Sequence, residues 1–153
     1  MEKKLSTDSS IQGKKTWFGK WQTFVLILAH ALIGFFIYFG YKEPVVEINS
    51  NAFKLKGVYG VNLLFAEITA ADTISWHEMP AIAMRTNGIS LNKVNRGKYR
   101  TTNDEKIHMS IHSGVSPVIK IVEQNGFAYY INRKKPEDTR QIFNNFKNNT
   151  LKQ

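Results

Sequence analysis

Residues 21–41 read WQTFVLILAHALIGFFIYFGY, and this run decides how the chain is organised. None of its side chains carries a formal charge, and Lys20 and Lys42 lie directly outside it. A helix rises about 1.5 Å per residue, so a helix of this length covers the ~30 Å hydrocarbon core of a bilayer. Amphipathic aromatic rings, which favour the headgroup layers, bracket the run at Trp17, Trp21, Tyr38 and Tyr41. The run therefore predicts a transmembrane helix.

Two alternatives compete with a membrane span. A cleaved signal peptide would end at Ala31, but the apolar run before that site, residues 24–28, is shorter than a usual h-region of about 7–15 residues. A buried core helix would need other long helices to pack around it, and the sequence predicts no such helices. We expect an uncleaved anchor, with cleavage after Ala31 left open. Near the middle of the span, we expect His30 to be a neutral imidazole bonded to a backbone carbonyl rather than a proton or ligand site.

The charges on the two sides of the span predict its orientation. Residues 1–20 form a polar, basic tail with five lysines, and residues 1–16 have no periodicity, which is typical of disorder. Only Lys42 follows the span closely. Because basic residues favour the cytoplasmic side, we expect a single-pass protein of the cell membrane with a cytoplasmic N-terminus and an extracytoplasmic domain. The formal net charge of +9 favours anionic partners but selects none of them.

The sequence lacks the residues and motifs of most enzymes. It contains no cysteine, which removes disulfides, thiolate nucleophiles, zinc–cysteine sites and iron–sulfur clusters. It also lacks a G-x-S-x-G elbow, a phosphate-binding loop and an H-E-x-x-H motif. His108 and His112 would share one face of a strand about 13 Å apart, too far to bind the same metal ion. We expect no catalytic residue, no metal site and no cofactor.

Residues 45–132 alternate between apolar and polar side chains in short segments, which indicates antiparallel β-strands. Ile107, Met109 and Ile111 would share one face of such a strand. We expect one segment to cover residues 61–68 and another to cover residues 94–100. Turn signals separate the segments at Gly57 to Gly60, Asn87 and Gly88, Asn103 and Asp104, Ser113 and Gly114, and Asn125 and Gly126. The pattern predicts about seven to nine strands in a β meander.

The last part of the chain carries the signals of a helix. Pro136 suits the first helical turn, and the two acids after it, Glu137 and Asp138, favour a helix N-terminus. Ile142, Phe143 and Phe146 would then form an apolar stripe, with Thr139 beside it. We predict a mainly β domain over residues 45–150: a half-open antiparallel barrel of about seven strands, capped by a C-terminal amphipathic helix.

Two short motifs, Arg85-Thr86-Asn87-Gly88 and Gly97-Lys98-Tyr99-Arg100, are the most specific elements of a resemblance that covers residues 45–147. Through them the sequence resembles the bacterial pleckstrin-homology-like (PH-like) domains. It implies a seven-stranded PH-type barrel with a C-terminal helix, often attached to membrane-spanning helices, and it implies no activity. The hairpin turn at Gly57 to Gly60 is too short and apolar for the headgroup cage of phosphoinositide-binding members, so we do not extend that property to this chain.

Two basic clusters are the candidate contacts for an anion or a partner. Arg96, Lys98 and Arg100 alternate along one strand and would share a face at intervals of ~6.6–7 Å. That face is alternatively a solvated surface with pairs to Asp104 or Glu105. The second cluster, which precedes the last helix, is Arg133, Lys134 and Lys135.

These features predict a membrane-tethered, non-catalytic binding or scaffold module. Its expected partners are the lipid bilayer and another protein of the cell envelope, whereas the sparse basic surface argues against nucleic acid. The alternative is binding of anionic lipid or another polyanion through the basic strand face. The sequence names no small-molecule ligand, and it leaves the identity of the partner open.

Overall fold

The computed structural model describes residues 12–150, with side chains from residue 20 onward. The chain forms two units, residues 1–39 and residues 40–153. In the first unit, helix α1 runs over Gln12–Tyr41, so its last two residues already belong to the second unit. The disorder predicted for residues 1–16 is wrong over residues 12–16, because α1 begins at Gln12, well before the uncharged run. Residues 1–11 of the tail lie outside the described residues.

Helix α1 is long and apolar enough to cross a membrane over Lys20–Tyr41. Its apolar side chains are exposed throughout this stretch. A signal sequence near the N-terminus satisfies the same criteria of length and composition, so cleavage after Ala31 stays an alternative. The Nδ1 atom of His30 lies 2.7 Å from the carbonyl oxygen of Leu26, one turn earlier, which is the local bond expected for this residue.

The second unit contains two β-sheets. The first sheet is antiparallel and consists of three strands: β1 (Val45–Ile48), β2 (Ala52–Lys56) and β3 (Val61–Leu64). Their order in the sheet is β1-β2-β3. The second has six strands: β4 (Ile68–Ile74), β5 (Ile82–Leu91), β6 (Val94–Thr101), β7 (Lys106–His112), β8 (Val118–Glu123) and β9 (Ala128–Ile131). Their order in space is β4-β8-β9-β7-β6-β5, so β4 and β5 lie at opposite edges of the larger sheet.

Three features differ from the expected half-open antiparallel barrel. The described chain has nine strands, within the seven to nine expected, but they form two open sheets. The segment over residues 61–68 is broken by a 3-10 helix, Phe65–Glu67, after which Ile68 begins β4 in the larger sheet. The amide of Phe65 still bonds to the carbonyl of Asn51, which is the last contact of the β2–β3 pairing before the chain leaves the small sheet. Strands β7 and β9 are parallel rather than antiparallel.

The parallel pair arises because β8 does not lie directly beside β7 in the sheet, and one strand position remains between them. The β8–β9 hairpin then places β9 in this position, between β7 and β8. The buried side chain of Asn132, just after β9, completes the pairing. It accepts from the amide of His112 at 2.6 Å and donates to the carbonyl of Val115 at 2.7 Å.

The turn predicted at Asn87 and Gly88 does not form. Both residues lie inside β5, and the hairpin to β6 turns instead at Asn92 and Lys93, where Asn92 has a φ of 52°. Gly88 faces Gly97 across the two strands with positive φ values of 157° and 120°. A Cβ at either position would collide with the backbone of the opposite strand. The Asn-Gly pair therefore serves a close approach of two strands and not a reversal of the chain.

Hydrophobic cores cover both faces of the six-stranded sheet. On one face, β8 and β9 pack against the small sheet and helix α2 (Pro136–Thr150). This confirms the predicted C-terminal helix, whose Phe143 and Phe146 are buried beside a fully buried Thr139. On the other face, side chains from β6 to β9 form a second core cluster, and the segment after β4 covers part of it with Trp76 and Met79.

Candidate functional site

A groove of about 940 Å³ opens beside the second core cluster, between the segment after β4 and strands β5, β6 and β7. Its floor is apolar and comes from the buried side chains of Tyr99, Met109 and Ile111. Its rim is mixed and adds Trp76, His77, Met79, Pro80, Ile82, Ala83, Met84, Arg85, Ser90, Asn95 and Ser113. Binding sites are usually concave and combine apolar surface with a small number of polar groups that orient the ligand, and this groove has both kinds of surface in similar amounts.

The segment after β4 is held in place by local hydrogen bonds. Ser75 and Glu78 form a capping box around a 3-10 helix, Trp76–Glu78, in which the amide of Ser75 donates to Glu78 at 2.5 Å. The amide of Trp76 donates to the hydroxyl of Ser116 at 2.8 Å, which ties this segment to the β7–β8 loop. Because the backbone is fixed at both points, Trp76 is positioned at the groove without needing a ligand.

The polar groups of the groove centre on Tyr99 and Arg85. The Tyr99 hydroxyl donates to the carbonyl of Ile89 at 2.8 Å, and burial raises the pKa of this phenol while the nearby Arg85 opposes the rise. The exposed guanidinium of Arg85 forms no ion pair with any carboxylate of residues 12–150. A cation is therefore available at the rim.

Strand β5 gives the groove an open edge. It pairs with β6 on one side, and no other strand in residues 12–150 pairs with it. Two large apolar side chains near its start are exposed, Ile82 at 39% and Met84 at 55%. Edge strands with unpaired backbone groups are templates for the addition of another strand.

The predicted basic strand face forms, but it is not an open surface. Arg96, Lys98 and Arg100 share one face of β6, as their cross-strand neighbours on β7 show. Arg96 is buried, and its guanidinium donates to the carbonyls of Gly40 at 3.0 Å and Tyr41 at 3.4 Å and to that of Lys42. Arg100 forms an ion pair with Asp104 at 2.7 Å, one of the two pairs that the sequence predicted for a solvated face. Only Lys98 is exposed and unpaired within the described chain.

The second basic cluster is divided in the same way. Arg133 is buried and donates to the carbonyl of Pro44 at 2.5 Å. Lys134 and Lys135 are exposed, and the backbone amide of Lys134 donates to Glu43 at 3.2 Å. Arg133 therefore holds residues 40–44 together with Arg96, while the two lysines keep their charges at the surface.

The carboxylate of Glu43 lies among these basic groups. Its Oε1 atom is 3.0 Å from Nε2 of His112, and its charge also acts on Arg96 and Arg133. Burial lowers the pKa of His112, and Glu43 counteracts part of that change. Strand alternation alone does not predict this arrangement, because it depends on where residues 40–44 pack.

His108 and His112 point to one face of β7, as predicted, and each has a structural contact of its own. The Nε2 atom of His108 lies 3.1 Å from the carbonyl of Tyr59, in the β2–β3 turn, and burial lowers the pKa of this ring to about 4. Among residues 12–150, no group of three His, Asp or Glu side chains is close enough to hold a metal ion.

The groove residues were not singled out in the sequence. Reading Asn87 and Gly88 as a turn divided β5 into two pieces and concealed the long edge strand that carries Met84 and Arg85. Simple alternation gave no signal for one continuous strand, because Ile82 and Met84 are out of phase with Ile89 and Leu91. The shift in phase accompanies irregularities in the β5–β6 register between Ile82 and Met84 and between Arg85 and Asn87. The chain matches no family model, no curated protein and no solved structure.

Proposed function

We propose that this protein is a membrane-tethered, non-catalytic binding module that receives an extended segment of another envelope protein along β5. The observation that carries the proposal is the open edge of β5 beside a groove that has an apolar floor and a mixed rim. Addition of a strand to a sheet edge supplies affinity through backbone hydrogen bonds, and neighbouring pockets for alternate side chains supply specificity.

The exposed apolar side chains support a partner at this edge. Scattered surface apolar residues are ordinary, but Ile82 and Met84 lie on the same edge strand next to a groove floored by Tyr99 and Met109. A bound strand would cover both exposed side chains and extend its own apolar side chains toward the floor. The register of β5 is irregular between Ile82 and Met84 and between Arg85 and Asn87, and such bulges are one way in which an edge is kept from pairing. The exposed apolar side chains, and not the unpaired backbone alone, therefore support a partner here.

Charge favours an acidic partner segment over a second copy of this chain. Strand β5 carries Arg85 and no acidic residue, so pairing two copies of β5 would bring like charges together without a compensating carboxylate. An extended segment with an Asp or Glu beside Arg85 and apolar residues on either side satisfies both the rim and the floor. We therefore assign an acidic, partly apolar extended peptide as the occupant.

The proposal also includes a membrane tether formed by α1 and a relation of the β domain to PH-like domains. Helix α1 would anchor the domain in the cell membrane with the N-terminus in the cytoplasm, which raises the local concentration of weakly bound partners. Two β-sheets with a C-terminal helix packed on them support a relation to PH-like domains, whereas nine strands and one parallel pair depart from the seven-stranded form.

Peptide selection on the full chain in lipid nanodiscs tests the proposed edge. We expect a displayed peptide library to yield segments with an acidic residue flanked by apolar ones. Binding should protect the backbone amides of residues 82–87 from hydrogen exchange. Met84→Lys should weaken binding several-fold, because full burial of a methionine side chain is worth about 1.5–3 kcal/mol, more than the ~0–1 kcal/mol that a surface ion pair between the new ammonium group and the acidic peptide could return. Arg85→Glu should select against the same acidic peptides.

Leu64→Lys is the matched control, because Leu64 is 41% exposed on β3 and does not line the groove. This variant should bind the selected peptides like the unaltered protein. Protection of α2 instead of β5, or equal loss of binding in Met84→Lys and Leu64→Lys, would place the interaction elsewhere and end the proposal.

A further inference from the structure

A second pocket, of about 580 Å³, lies at the beginning of the second unit and is distinct from the β5 groove. It is lined by Tyr41, Glu43, Asn92, Lys93, Val94, His112, Val115 and Lys134. We propose that this pocket binds the headgroup of an anionic phospholipid. The inference rests on the membrane tether of the proposed function but not on peptide binding at β5.

The position of Tyr41 at the end of the apolar stretch indicates where the pocket lies relative to a membrane. This residue ends the apolar stretch Lys20–Tyr41, and a tyrosine at the end of a span lies at the level of the headgroups. Asn92 and Lys93 form the β5–β6 turn, and they line the same pocket as Tyr41. Their side chains therefore lie within reach of the headgroup layer when the span crosses a bilayer.

The charged side chains that line the pocket have a net positive charge, from Lys93 and Lys134 against Glu43. Lys93 and Lys134 are both exposed, and no carboxylate of residues 12–150 forms an ion pair with either ammonium group. Glu43 is the one carboxylate in the lining, and it is already engaged by His112 and by the backbone amide of Lys134. A phosphate would therefore meet two free cations. Lys42, exposed and next to Tyr41, adds a third nearby.

The remaining lining suits a lipid better than a free phosphate ion. Val94 and Val115 provide apolar surface, and the exposed ring of Tyr41 adds to it. Glycerol and the first methylene groups of a lipid can cover this surface, which inorganic phosphate cannot do. The apolar and cationic parts of the pocket thus match the two ends of a phospholipid headgroup region.

The pocket is formed before any ligand arrives. Arg96 donates to the carbonyls of Gly40 and Tyr41, and Arg133 donates to that of Pro44, which fixes the backbone on both sides of Glu43. Burial of these guanidinium groups explains why they do not serve as anion contacts themselves. Binding a headgroup would not require ordering this segment, which lowers the entropic cost of association.

Native mass spectrometry of the full chain in detergent micelles tests this site. Titration with phosphatidylglycerol should give lipid-bound protein at lower concentration than titration with phosphatidylcholine. We expect Lys93→Glu/Lys134→Glu to weaken phosphatidylglycerol binding roughly tenfold or more, because each lysine near a membrane surface contributes substantially to the attraction of anionic lipid. Lys93→Gln/Lys134→Gln should weaken phosphatidylglycerol binding less than Lys93→Glu/Lys134→Glu, because it removes two positive charges without adding two negative ones.

Lys98→Glu/Lys106→Glu is the control, because it makes the same change in net charge on exposed side chains outside the pocket. It should retain the preference for phosphatidylglycerol. Equal loss in both double variants would show a general effect of charge, and no loss in either would show that the pocket is unused; both results overturn the inference. Competition by millimolar inorganic phosphate would assign the pocket to a free anion instead of a lipid.

Failure of lipid binding at this pocket can be distinguished from failure of the proposed function. A chain that alkaline carbonate extracts from cell membranes lacks the tether, whatever its lipid preference in detergent. Conversely, Lys93→Glu/Lys134→Glu should still bind the selected peptides at β5, because neither lysine lines that groove.

Discussion

At the scale of single residues, His108 makes the stability of the domain depend on pH. Folding buries its ring and lowers its pKa from about 6.5 to about 4. Between these values the unfolded chain binds a proton that the folded chain does not bind. The free energy of unfolding should therefore fall as the pH drops from 7 to 4.5, by up to about 3 kcal/mol from this residue.

His108→Gln isolates this contribution, because glutamine keeps a donor for the carbonyl of Tyr59 and does not titrate. Denaturation of the full chain in detergent, at pH 7 and pH 5, should show a smaller difference in stability for the variant. His112 remains and acts in the same direction, since burial also lowers its pKa. Identical pH dependence in the two proteins would mean that the ring of His108 is not buried as the structure has it.

Individual residues also show which features of the candidate sites the sequence alone predicts. Alternation correctly placed Arg96, Lys98 and Arg100 on one face of β6. It did not predict that residues 40–44 pack over part of that face and take the guanidinium of Arg96 into hydrogen bonds. Local periodicity determines which side a residue faces, whereas its partner there depends on contacts between residues more than 50 positions apart.

At the scale of elements, helix α2 was predictable because all its signals are local. Pro136, the acids after it and the apolar stripe lie within one short segment, and the structure has the helix at Pro136–Thr150. Strand β5 was not predictable in the same way. Its Asn87 and Gly88 have the composition of a hairpin turn, and only the opposing Gly97 on β6 shows that they serve close strand packing.

The apolar stripe of α2 also carries a quantitative prediction. The ring of Phe146 lies between those of Phe53 at 5.9 Å and Phe65 at 5.4 Å, and its side chain is 3% exposed. Phe146→Ala should lower the free energy of unfolding by about 3–5 kcal/mol, because it removes apolar burial and leaves a cavity in the core. Chemical denaturation of the full chain in detergent measures the change.

Asn144→Ala on the exposed face of α2 is the control and should stay within about 0.5 kcal/mol of the unaltered protein. A similar small effect from Phe146→Ala would mean that α2 does not seal the core between the two sheets.

At the scale of the whole molecule, the side of the membrane on which the proposed tether holds the domain decides which partners are available to the β5 groove. The chain has no cysteine, so a single introduced cysteine gives an unambiguous label. We expect Asn125→Cys, in the exposed β8–β9 turn, to react with a membrane-impermeant maleimide in intact spheroplasts. Ser6→Cys should react only after permeabilisation, because the lysines before the span favour a cytoplasmic N-terminus. The reverse pattern would place the domain in the cytoplasm and replace envelope partners by cytoplasmic ones. The mass of the labelled protein decides the remaining alternative, since cleavage after Ala31 would remove Ser6 and leave the groove on a released domain.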